Sequence, residues 1–70
     1  MEGVKLIGQI KWYNSEKGYG FITKADGSEI FFHRSNLSGA HTVSEGQTVE
    51  FGIVQTDKGP EAVNVEPLPH

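Results

Sequence analysis

Apolar and polar residues alternate with a period of two along most of this chain, the pattern of strands that bury one face and wet the other. Five such runs are bounded by turn residues: Lys5 to Tyr13, Gly18 to Lys24, Glu29 to His33, Thr48 to Gln55 and Glu61 to Glu66. Asp26-Gly27-Ser28 and Asp57-Lys58-Gly59-Pro60 separate neighbouring runs and predict tight hairpin connections, Asp-Gly being a strong turn signal. The polar stretch from Ser35 to Gly46 is a longer connection with room for one short helical turn, and the ends, Met1 to Val4 and Pro67 to His70, look loose. Glycine and proline recur too often for a helix of ordinary length. Five short strands with no apolar helix to cover them predict an all-β fold, a five-stranded barrel closed or nearly so. An SH3-like barrel is the competing five-stranded form.

Strand parity sorts core from surface. In the fourth run Val49, Phe51 and Ile53 share the inward face, opposite Glu50, Gly52 and Val54. In the fifth, Val63 and Val65 point one way and Asn64 and Glu66 the other; in the first, Leu6 and Ile10 face inward and Gln9 and Lys11 outward.

The second and third runs break this rule. Tyr19 and Phe21 oppose Gly20 and Ile22, and Phe31 and His33 oppose Ile30 and Phe32, so both faces of the hairpin are apolar or aromatic. Burial on both sides requires a second layer, which a chain of 70 residues with half-polar remaining strands does not offer. One face must meet solvent. Ile22, Ile30 and Phe32 are core formers, and Gly20 suits a tight inner position; the rings of Tyr19, Phe21, Phe31 and His33 are therefore assigned to the outside. Cross-strand neighbours lie about 5 Å apart, so these rings form a contiguous platform. Trp12 and Tyr13 are adjacent and cannot both face inward on a regular strand. At least one joins the platform, and a bulge could bring in both. The alternative is that the rings are core and that Trp12 closes the barrel end.

Length and composition narrow the function. Seventy residues make one domain, and a fold this small buries about 60% of its unfolded surface, leaving little margin for idle exposed rings. There is no cysteine, which suits a reducing cytoplasm, and neither a signal peptide nor a membrane-spanning stretch is evident. The net charge of −3 argues against a partner held mainly by a basic patch. His33, His41 and His70 are scattered without metal-ligand spacing, and Gly18-Tyr19-Gly20 lies within a strand rather than in a phosphate-binding loop. The expectation is a binding protein rather than an enzyme, with no cofactor, no metal and no catalytic residues. Proline-rich peptides are the competing ligands for exposed aromatics on a small barrel.

The block Lys11-Trp12-Tyr13-Asn14-Ser15-Glu16-Lys17-Gly18-Tyr19-Gly20-Phe21-Ile22 resembles the signature of cold-shock domain proteins, and Ile30-Phe31-Phe32-His33 resembles that family's second RNA-binding motif. Gly46-Gln47 and the segment Lys58-Gly59-Pro60-Glu61-Ala62-Val63-Asn64-Val65 are also similar to the family, so that the likeness runs from about Val4 to Glu66. It implies one five-stranded antiparallel OB-type barrel over residues 1–70, binding single-stranded RNA and DNA. Trp12, Tyr19, Phe21, Phe31 and His33 match family stacking positions; Lys11 and Lys17 match positions near the backbone, and Asn14 a base-contacting one. Tyr13 and Tyr19 stand where phenylalanine is usual, and Arg34 where another aromatic is common; a guanidinium also stacks and contacts phosphate. The loop from Ser38 to Thr42 looks shortened and lacks an aromatic, with His41 as a possible substitute. Lys5, Lys11, Lys17, Arg34 and Lys58 are the cations available to line the patch. The combined expectation is a monomeric, cytoplasmic, sequence-tolerant binder that keeps RNA unpaired without ATP.

Overall fold

The computed structural model of the chain describes residues 5–38 and 42–68. Strands β1 (Leu6–Asn14), β2 (Tyr19–Lys24), β3 (Glu29–His33), β4 (Thr48–Thr56) and β5 (Gly59–Pro67) close into a barrel in the order β1-β2-β3-β5-β4. β1 pairs with β2 and β4, β2 with β3, and β4 with β5, all antiparallel. The circle is completed by a parallel join of two residue pairs, Phe31 with Glu61 and Phe32 with Ala62. This join is parallel because the long connection after β3 carries the chain across the barrel before the β4–β5 hairpin returns it. The connection begins with a single 3₁₀ turn, Arg34–Asn36. No helix among the described residues is long and apolar enough to cross a membrane.

Local chemistry sets the turns. Gly18 and Gly27 take positive φ at the ends of the first two loops, a region that costs a residue with a Cβ about 1–2 kcal/mol. In the β2–β3 turn the Ser28 N–H and hydroxyl both donate to Asp26 Oδ1, at 2.9 and 2.6 Å. These bonds, the hydroxyl first, hold the Asp26 carboxyl below the usual carboxylate range.

The core consists of Ile10, Ile22, Ile30, Phe32, Val43, Val49, Phe51, Ala62 and Val65. Ile53 and Leu37 pack against it. Two positions depart from simple alternation. Leu6 shares the inward parity of Ile10 yet is 36% exposed, because it precedes the first β1–β2 pair, Gly8 with Lys24, and has its cross-strand partner, Phe51, on β4 alone. Val63 is half-buried while Ala62 and Val65 are fully buried. The pairing of β4 with β5 steps from Glu50–Glu66 to Gly52–Val63, leaving one extra residue on β5. Asn64, at φ 52°, absorbs it and reverses the parity beyond that point.

Candidate nucleic-acid interface

The β2–β3 hairpin registers Tyr19 opposite His33 and Phe21 opposite Phe31, with Gly20–Phe32 and Ile22–Ile30 on the other face. The second face is buried: Gly20, Ile22, Ile30 and Phe32 all lie inside. Tyr19, Phe21 and Phe31 are half-buried and His33 is exposed, as parity requires of the outer face.

A bulge at Lys11 adds a third strand to this surface. Ile10 pairs with Ile22 but Trp12 pairs with Phe21, so Lys11 is the extra residue. It shifts the parity of everything after it: Ile10 points in, Trp12 points out, and Tyr13 turns back to stack on Phe32. Of the two adjacent aromatics Trp12 therefore joins the platform, and Tyr13 packs at the barrel end. Trp12 lies 5.4 Å from Tyr19 and 5.5 Å from Phe21, and Phe31 lies 5.7 Å from Tyr19 and 5.9 Å from Phe21, between ring centroids. The four rings form a closed circuit of contacts. Their planes are inclined by 33–73°, so the surface is faceted and offers flat faces in several directions.

Close backbone approach makes this possible. Gly20 sits directly under the Trp12 carbonyl oxygen and the Tyr13 Cα, and a Cβ there would also stand 3.0 Å from the Phe32 ring. With glycine at this point β1 coils tightly over β2, which brings Trp12 onto the hairpin.

Polar groups border the rings on two sides. On one, Asn14, Lys17 and Arg34 gather at the β1–β2 turn. The Lys17 N–H donates to Asn14 Oδ1 at 2.9 Å and the Arg34 N–H donates to the Gly18 carbonyl at 2.7 Å. The guanidinium reaches the Ser15 carbonyl at 3.3 Å. Its Cζ, Nε and Nη2 are each 3.3 Å from where a Gly18 Cβ would stand; that equal distance is much longer than the bonds joining the three atoms, so the point lies well off their plane and the guanidinium rests one flat face on Gly18. On the other side a cleft of about 500 Å³ opens between β3 and the β4–β5 hairpin, lined by Phe31, His33, Ser35, Lys58, Pro60 and Glu61 among others. The Ser35 N–H donates to His33 Nδ1 at 3.1 Å. Nδ1 thus serves as the acceptor that caps the 3₁₀ turn.

Lys11 is held by Glu29 and Lys5 approaches Glu50 at 3.9 Å. Among the described residues Lys17, Arg34 and Lys58 have no carboxylate partner. Residues 39–41, with His41 and the centre of the loop expected to be shortened, lie outside the described residues, as does His70. Sequence reasoning did not single out Pro60, Glu61 and Ser35 as site residues. The parallel join that sets Glu61 beside Phe31 leaves no local trace in the sequence; the signal available was that Pro60 and Glu61 stand two and three residues after Lys58 in the family-like segment Lys58 to Val65.

A model of the 'Cold-shock' DNA-binding domain family matches residues 6–68. Cold shock-like protein CspC of Escherichia coli is 55% identical over 64 residues, covering 87% of this chain and 93% of that protein. A cold shock-like protein of Thermotoga maritima is 49% identical over 63 residues, covering 87% and 96%. Among solved structures, drosophila Unr CSD456 superimposes with a TM-score of 0.79 at 20% identity, covering 96% of this chain and 28% of that one; at that identity the likeness is one of fold.

Proposed function

The chain belongs to the 'Cold-shock' DNA-binding domain family, and from that premise we propose that it binds single-stranded RNA and DNA by stacking unpaired bases on its exposed rings, with tolerance for sequence. The observation that carries this reading is the closed circuit of Trp12, Tyr19, Phe21 and Phe31 outside the core. The core itself holds two phenylalanines, Phe32 and Phe51. A fold this small that leaves four large rings half-buried on its surface gives up part of the roughly 1.5–3 kcal/mol that full burial of each would contribute, which a ligand's π-faces recover.

A base stacked on an aromatic ring contributes about 1–3 kcal/mol, whatever its identity. Four stacks supply roughly 4–12 kcal/mol before ordering costs. Micromolar to nanomolar binding, about −8 to −12 kcal/mol, is within reach without a basic surface, which reconciles the function with a net charge of −3. Lys11, Lys17, Arg34 and Lys58 border the rings and meet phosphates locally; Asn14 and His33 supply polar contacts at the two edges. Duplexes bind poorly because their bases are already stacked. A protein that holds the open strand shifts a hairpin toward opening by mass action alone, so the chain acts as an RNA chaperone with no nucleotide hydrolysis, as a single domain, a monomer, in the cytoplasm.

The test is a fluorescence titration of Trp12 with a thymidine heptamer, the same sequence as duplex, and a proline-rich peptide. Quenching by the single strand alone is the expected result. Equal affinity for the duplex, or a response to the peptide but not the oligonucleotide, overturns the reading. Saturating protein should also lower the melting temperature of a weak RNA hairpin; an unchanged melting temperature removes the chaperone role.

A further inference from the structure

The cleft beside the aromatic circuit contains a group that a simple stacking surface does not need. Glu61 is the direct cross-strand partner of Phe31 in the parallel join between β3 and β5, and it lines the cleft with Phe31, His33, Lys58 and Pro60. It is half-buried, and Asn36 Nδ2 donates to its Oε2 at 2.9 Å. The carboxylate is therefore fixed rather than free to swing into solvent. A fixed carboxylate repels the phosphates of any strand that enters, a cost that hydrogens donated by a base edge would offset.

We propose that this cleft selects guanine, with Glu61 as the residue that reads it; the inference rests on the stacking function above. A carboxylate accepts hydrogen bonds and donates none, and each of its oxygens has two lone pairs, so Oε2 still accepts while holding Asn36. Guanine alone places two adjacent donors, N1–H and the N2 amino group, on its Watson–Crick edge. Uracil and thymine flank their single N3–H with two carbonyl oxygens. Cytosine and adenine set a ring-nitrogen acceptor beside their amino group. Against an acceptor-only partner each of these pairs an attraction with a repulsion. A base lying on Phe31 has Glu61 at its rim because the two residues are paired. Lys58, also lining the cleft and without a carboxylate partner among the described residues, offsets the carboxylate's charge toward the flanking phosphates.

The test uses thymidine heptamers carrying a single dG at each position in turn, with deoxyinosine and dA at the same positions, read through Trp12 against the full chain and its E61Q variant. At one position dG should bind about tenfold tighter than thymidine, within the range of a good bidentate contact. Deoxyinosine, which keeps N1–H and lacks the amino group, should fall between. E61Q should abolish the dG gain and strengthen binding of the all-thymidine strand, because a negative charge beside its carbonyl oxygens is removed. A dG gain absent at every position, or retained in full by E61Q, overturns the inference and leaves Glu61 as a prop for the Arg34–Asn36 turn through Asn36. Failure of the all-thymidine strand to bind overturns the stacking function instead.

Discussion

Tyr13 stacks on Phe32 with ring centroids 5.6 Å apart and planes 14° from parallel, on the opposite side of β1 from its neighbour Trp12. Its hydroxyl is buried and has no hydrogen-bond partner among the described residues. A buried polar group left without a partner costs free energy that an apolar replacement of the same shape recovers. Tyr13→Phe is expected to raise the stability by about 1 kcal/mol, seen as a higher urea midpoint at unchanged slope. A lower midpoint would show that the hydroxyl has found a partner.

Phe31 and Phe32 are consecutive and should behave oppositely. Phe31→Ala is expected to weaken oligonucleotide binding by about 1–3 kcal/mol and to cost little stability. Phe32→Ala removes a fully buried ring and should cost about 3–5 kcal/mol of folding free energy, enough to unfold much of a small domain. Parallel titrations and urea melts of the two variants separate the roles. Similar stability losses would mean that the outer ring is part of the core.

Two glycines give distinct kinds of cost. Gly20→Ala drives a methyl into the Trp12 carbonyl and the Tyr13 backbone, and is expected to cost about 3 kcal/mol or more. Gly27→Ala meets nothing within 4 Å but sits at φ +90°, so it should cost about 1–2 kcal/mol of backbone strain. Thermal or urea unfolding of both variants checks the order.

Binding should depend on salt only moderately. With two or three phosphates neutralised, by Lys17, Arg34 and Lys58, the slope of log K against log salt should be about −2, from roughly −0.7 per contact on a single strand. Replacing Arg34 with phenylalanine should flatten the slope by about 0.7 while keeping a flat stacking face. A wild-type slope steeper than about −5 would contradict a stacking-led interface.

The Asp26 carboxyl lies below its ordinary range because Ser28 donates to it first through its hydroxyl and then through its N–H. A depressed pKa in the folded state contributes stability that is present above the unfolded value, about 3.9, and is lost as pH falls through the folded value. Ser28→Ala removes the larger cause, so the Asp26 titration followed by NMR should move up toward the ordinary carboxylate value. No movement would mean that the hydroxyl is not the cause. Asp26 is fully exposed, and the effect on overall stability should be correspondingly small.

Much of this was legible in the sequence because the period of a strand is two and the hairpin Gly18 to His33 is local. Opposed sets such as Tyr19 and Phe21 against Gly20 and Ile22 fix which face is which once one face is known to be wet. What parity cannot show is where it fails. The bulges at Lys11 and Asn64 each insert one residue, and neither residue type announces a bulge. So the inward Tyr13 could not be told from the outward Trp12, and Val63 was expected to share the face of Val65. Leu6 was misplaced for a different reason: parity says nothing about where pairing begins. The neighbourhood of Phe31 and Glu61 joins residues 30 apart through a parallel contact, and no hairpin rule reaches that far.

The join between β3 and β5 consists of two residue pairs, whereas β2 and β3 share five. The cleft lies across that join, with Phe31 and His33 on one bank and Lys58, Pro60 and Glu61 on the other. A nucleic acid seated there bridges the two banks and becomes a suture along the thinnest line of the cylinder. Occupancy should therefore slow hydrogen exchange of the Phe31, Phe32 and Ala62 amides more than that of the β1–β2 ladder. The cargo would strengthen its carrier at the place where the carrier is least closed by its own backbone.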